Sequence, residues 1–147
     1  MNTLDRLVRW LIYQHFLTAG SPPPFDRLVR LAETTENDVR ESLRRLADSH
    51  VIALSDDHDH IWMAHPFSGV PTDYRVETGE LSFFANCAWD GLAIPALTGR
   101  DARILATHPV NRDAMQLQIQ DGELQPTLSV IHFVVPARNF WDDIGYT

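Results

Sequence analysis

Over its first fifty residues the chain keeps apolar side chains at three-and-four spacing, and beyond residue 66 it does so only briefly. That change of period is what most limits the folds open to it. Leu4, Leu7, Val8, Leu11, Ile12 and Phe16 mark one helix face, Asn2 or Thr3 can cap its start, and Ala19-Gly20 ends it. Ser21-Pro22-Pro23-Pro24 cannot continue a helix but suits the entry to the next, which carries Phe25, Leu28, Val29 and Ala32. Thr34-Thr35 breaks that helix, Thr35 with Asp38 resembles a capping box, and Val39, Leu43, Leu46 and Ala47 carry a third helix to about His50. Val51 to Ser55 and His60 to Ala64 then read as strands joined by the polar turn Asp56-Asp57-His58-Asp59. Three helices and a hairpin give a winged-helix-like segment over residues 1–65.

From about Pro66 the texture turns to Pro, Gly and short apolar runs, as in a linker leading to a second unit over 66–147. Tyr74 to Val76 and Leu81 to Ala85 can pair across Glu77-Thr78-Gly79-Glu80. Ala88 to Leu97 reads as a short helix interrupted by Pro95 and stopped at Gly99. Arg103 to Thr107, Met115 to Gln120 and Thr127 to Val135 read as strands. In the middle one, Met115, Leu117 and Ile119 alternate with Gln116, Gln118 and Gln120, so one sheet face is solvated. Asp121-Gly122 marks a turn, and Phe140-Trp141 opens a last helical turn. The fold class expected is α+β: a three-helix winged-helix-like segment, then a mixed β-sheet unit with a short helix after the cysteine.

Charge and cysteine usage exclude several functions. Residues 1–50 hold seven Arg and seven acids, whereas 51–147 hold five Arg against thirteen acids, which is the whole net charge of −8. Such a surface repels nucleic acid and anionic lipid. The third helix carries Arg40, Arg44 and Arg45 but also Glu36, Asp38, Glu41 and Asp48, so the helical segment reads as a structural or dimerisation element rather than an operator reader. No apolar run reaches the length of a membrane span, and Asp5, Arg6 and Arg9 interrupt the N-terminus where a signal peptide stays apolar; a cytoplasmic protein is expected. One cysteine among 147 residues rules out a disulfide or a paired-thiolate zinc site within them.

That cysteine, Cys87, stands where a strand turns into a helix, and Asp90 follows one helical turn later. The helix dipole there favours thiolate, so a partly exposed thiol titrating below the ordinary value is expected. Asp90 is close enough to exchange a proton with whatever the sulfur binds. The same spacing also describes a cysteine packed as a small hydrophobe beside an aspartate that satisfies helix-end amides. Trp62, Trp89 and Trp141 read as core, although an aromatic wall beside Cys87 would suit an apolar substituent on a ligand. The Asp56, Asp57, His58, Asp59 and His60 cluster reads as a solvated turn rather than a metal site.

The run Cys87-Ala88-Trp89-Asp90-Gly91-Leu92-Ala93-Ile94-Pro95-Ala96-Leu97-Thr98-Gly99-Arg100-Asp101-Ala102-Arg103 resembles the core motif of the organomercurial (alkylmercury) lyase family, Cys-Ala-x-Asp-x-Leu-x-x-Pro-Ala-Leu-x-Gly-Arg-x-Ala-Arg. The resemblance implies that Cys87 binds the organomercurial as thiolate and that Asp90 helps deliver a proton to the departing carbon. The two would also be the groups that hold the metal, since mercury is soft and seeks thiolate. Family members use a second cysteine just ahead of a His-Phe pair. The matching stretch here, Thr127-Leu128-Ser129-Val130-Ile131-His132-Phe133, has none, which leaves Ser129, His132 or an external thiol as auxiliaries. Three apart on a strand, Ser129 and His132 would face opposite ways, so at most one meets Cys87.

The function expected is that of an organomercurial-lyase-like enzyme acting with a thiolate and a carboxylate on a soft metal, an organometal or a related electrophile. The alternative is a metal-binding or winged-helix regulatory protein that keeps the fold without lyase activity. No cofactor is required, though a soft metal ion suits the site. A small-molecule or metal ligand is the expected partner, with no membrane or nucleic acid, and a homodimer is compatible with the sequence.

Overall fold

The computed structural model describes residues 1–146 apart from Asp57 and Asp59, so the acidic pair of the expected hairpin turn lies outside the described residues. Three helices come first: α1 (Thr3–Ala19), α2 (Phe25–Ala32) and α3 (Glu36–Asp48). Asn2 and Asp5 cap α1 reciprocally, side chain to backbone in both directions, and Gly20 ends it at φ +72. The left-handed Gly20 also lies flush against β5, where a Cβ would stand 2.5 Å from the Ser82 carbonyl oxygen. Thr35 accepts from the Asp38 amide at the start of α3, as its spacing implies.

The strands are β1 (Ala53–Leu54), β2 (Ile61–Ala64), β3 (Phe67–Ser68), β4 (Tyr74–Thr78), β5 (Leu81–Ala85), β6 (Ala102–Thr107), β7 (Ala114–Gln120) and β8 (Glu123–Leu124), with α4 (Ala88–Thr98) between β5 and β6. They form one sheet in the order β1-β2-β3-β5-β4-β6-β7-β8. The α+β class stands; every pairing is antiparallel, so the sheet is not of mixed direction. The boundary expected near residue 66 falls between β2 and β3, which pair with each other, and the sheet runs across it. One core spans both halves, from Val8, Ile12, Phe16 and Leu43 to Phe67, Val76, Phe83 and Ile104.

Several expectations need correction. Thr127–Val135 forms no strand: β8 ends at Leu124, and beyond Pro126, which lacks an amide proton, Leu128 and Val130 stand in solvent. Phe67–Ser68, expected as linker, is a strand. Pro95 does not interrupt α4: it forfeits one backbone bond, yet the helix runs on to Thr98 and ends at Gly99, φ +63, whose amide bonds the Pro95 carbonyl. Thr78 faces Leu81, so the β4–β5 turn is tighter than the four residues expected. Along β7, half-buried Met115, Leu117 and Ile119 alternate with exposed glutamines as their period requires. Among the described residues no helix is long and apolar enough to cross a membrane.

Candidate active site

Cys87 is the residue just ahead of α4, with extended backbone (φ −148, ψ −179) and no side-chain bond to the helix amides. Its thiol is therefore not consumed in capping. The helix is seated by Gly91, where a Cβ would stand 3.2 Å from Ile104 Cγ2 and 4.0 Å from Val76 Cγ2. A glycine here lets α4 lie close on the sheet, which fixes its first turn. Asp90, at the third position of that turn, accepts the Cys87 thiol through Oδ2 at 3.6 Å. The two motif residues are thus brought together.

Two further polar groups converge on the same oxygen. Asn86 Nδ2 donates to Asp90 Oδ2 at 3.2 Å, and His65 Nδ1 lies 3.7 Å from it. The sequence reading singled out neither. Asn86 carried a weak signal, its place beside Cys87. His65 had none, because only the sheet register brings it near: Ala64 pairs with Phe67 and Phe67 with Ala85, so the turn at residues 65–66 lies beside the end of β5. The Tyr13 hydroxyl donates to the His65 carbonyl at 2.8 Å, tying this turn to α1.

The thiol does not titrate as expected. Burial pushes its pKa above the ordinary value, and the negative charge of Asp90 adds to that; the amides of Asp90 and Trp89 favour thiolate but are outweighed. Cys87 is half-buried, so the expected partial exposure is met while the expected lowered pKa is not. The physical reason is that a helix end acts within its first turn, whereas loss of water acts on the whole charge.

Cys87 and Asp90 open on a cavity of about 300 Å³ that is walled by Met63, Trp89, Phe133, Phe140 and Trp141. Trp89 is exposed rather than core, and its ring meets Phe133 edge-on at 6.2 Å. Trp141 stacks on His50 at 4.2 Å and presents its face or edge to His65 at 5.7 Å. Trp62 is half-buried, and Gly145 packs so closely on it that a Cβ would meet its ring. A smaller cavity of about 90 Å³ that Cys87 also lines is bounded by Tyr74 and His132 among others. His132, although exposed, thus lines a cavity with Cys87, whereas Ser129 is exposed and lines neither cavity. Among the described residues no group of three or more His, Cys, Asp or Glu is placed to hold a metal ion, so Cys87 and Asp90 supply two donors at most.

This arrangement places a protonated soft nucleophile next to a carboxylate in an apolar pocket. The alkylmercury lyase family matches residues 67–147. Among solved structures, the crystal structure of the mercury-bound form of MerB2 is similar, with a TM-score of 0.66 and 19% sequence identity over 87% of this chain. The match covers 61% of that chain, so the protein spans about three-fifths of its length. No curated protein sequence matches. The family match takes in more than half of the residues, including the whole Cys87 to Arg103 motif, and the chain belongs to the alkylmercury lyase family.

Proposed function

We propose that the protein cleaves carbon–mercury bonds by protonolysis, with Cys87 as the capturing thiol and Asp90 as the proton carrier. The observation that carries this reading is the 3.6 Å contact between the Cys87 thiol and Asp90 Oδ2 at the edge of the aromatic cavity. A thiol held protonated by burial keeps its proton until a soft metal displaces it. On capture, the sulfur–mercury bond forms, the anion or water that mercury carried in solution leaves, and the thiol proton passes to Asp90. Asp90 then gives that proton to the carbon: the carbon–mercury bond breaks, the hydrocarbon leaves, and the carboxylate takes the vacated place on mercury. Two external thiols remove mercury as its bis-thiolate; one of their protons returns to Cys87 and the other leaves to solvent, so Asp90 is a carboxylate again. Both stages balance, and the second explains how a site with one cysteine can turn over.

The aromatic walls give this chemistry a place for the organic group. Trp89, Phe133, Phe140 and Trp141 favour an apolar substituent. The reading is tested by intact-mass spectrometry of the protein with phenylmercury. A one-to-one adduct that is absent from Cys87→Ser and that converts to a mercury-only adduct supports it. A phenylmercury adduct that persists unchanged supports a binding protein instead.

A further inference from the structure

We propose that Asn86 is a positioning residue for this pair, its amide holding Oδ2 of Asp90 toward the thiol. The chemistry served is that of the lyase reading above, but the placement stands on geometry. Asn86 Nδ2 lies 3.2 Å from Asp90 Oδ2, 3.3 Å from the Phe67 carbonyl oxygen and 3.2 Å from His65 Nδ1. An amide nitrogen carries two hydrogens, so three acceptors cannot be served at once. The Phe67 carbonyl belongs to a strand paired with β2 and β5 and gives the amide a fixed anchor. Asn86 and Cys87 both address Oδ2 of Asp90, while Oδ1 accepts from no described residue. Gripping Oδ2 keeps the oxygen that takes the thiol proton beside the sulfur, within reach of a carbon carried by sulfur-bound mercury.

The rest of the Asn86 side chain argues against a purely structural role. Its Oδ1 is buried, and no described residue donates to it. An unpaired buried acceptor is destabilising, and a leucine of similar shape would avoid it. The residue that folding alone would favour here is therefore apolar, and what asparagine adds is its pair of donors.

The test compares Asn86→Leu and Asn86→Ser with Asp90→Asn. If Asn86 holds Asp90 against the sulfur, losing it frees the carboxylate and removes a nearby negative charge. The pH midpoint of Cys87 alkylation by iodoacetamide then falls toward that of Asp90→Asn. Benzene release from bound phenylmercury should slow by about tenfold or more, while adduct formation stays within about twofold of the wild type. Midpoints at the wild-type value in folded Asn86→Leu and Asn86→Ser overturn the positioning role, whatever the benzene yield. A shifted midpoint with no benzene released even by the wild type would leave the positioning intact and defeat the lyase reading.

Discussion

The thiol of Cys87 and the carboxylate of Asp90, one helical turn apart at the start of α4, are joined by a 3.6 Å hydrogen bond in which sulfur donates. In the proposed reaction this one contact would couple capture to protonolysis, because the proton lost by sulfur would be stored where the departing carbon can take it. Burial, followed by the Asp90 charge, holds the thiol pKa above its ordinary value. Iodoacetamide alkylation followed against pH should thus inflect above an ordinary thiol. Asp90→Asn should lower the inflection only in part, since burial remains. An inflection below the ordinary value in the wild type would contradict the balance drawn here.

Separate roles for the two residues predict separate failures. Cys87→Ser should abolish phenylmercury capture, because a hydroxyl is a poor ligand for a soft metal. Asp90→Asn should capture normally yet release benzene slower by a factor of roughly 100, the usual contribution of a positioned proton donor. Loss of capture in Asp90→Asn, measured by intact mass, would place Asp90 in binding rather than in proton transfer.

A second carboxylate governs stability. Asp5 is buried and accepts from Arg45 Nε and Nη2 and from Ser42 Oγ, and these bonds, the Arg45 one first, hold its pKa down at about 2 against an ordinary 3.8. At about 1.4 kcal/mol per unit this favours the folded state by at most about 2 to 3 kcal/mol, a ceiling because the Arg45 side chain is 42% exposed and water screens it. Since the folded pKa is the lower one, the contribution is complete above the unfolded value of 3.8 and is lost as pH falls toward 2. Chemical denaturation should show Asp5→Ala less stable at neutral pH, with its deficit shrinking in acid. A deficit that does not change with pH would contradict this assignment.

The helical segment is predicted not to bind DNA. Of the arginines on α3, Arg45 is committed to Asp5, and Arg40 lies over the Phe25 ring at 4.3 Å. Non-specific affinity depends on phosphate neutralisation, and the acids of the same helix oppose it. No gel shift with random duplex is expected at physiological salt. A salt-sensitive shift lost on replacing Arg40 and Arg44 together would reverse that conclusion and favour a regulatory protein.

Local signals carried much of this fold. The caps at Asn2 and Thr35, the period of α1 and the alternation along β7 each depend on neighbouring residues, and each appears as its pattern implies. Thr127–Val135 looked like a strand because apolar residues cluster there, but pairing depends on a partner edge that composition does not reveal. The site divides the same way. Cys87 and Asp90 meet because one helical turn separates them, whereas His65 reaches Asp90 only through the pairing of β2, β3 and β5. The thiol's raised pKa was hidden for a related reason: a helix start can be read from sequence, but burial cannot.

The central claim is that carbon–mercury cleavage proceeds on Cys87 with the proton held by Asp90, and benzene released from protein-bound phenylmercury tests it most directly. One equivalent of benzene per protein is predicted without added thiol, with continued turnover once excess thiol removes the mercury. A phenylmercury adduct on Cys87 that yields no benzene under either condition would contradict the account.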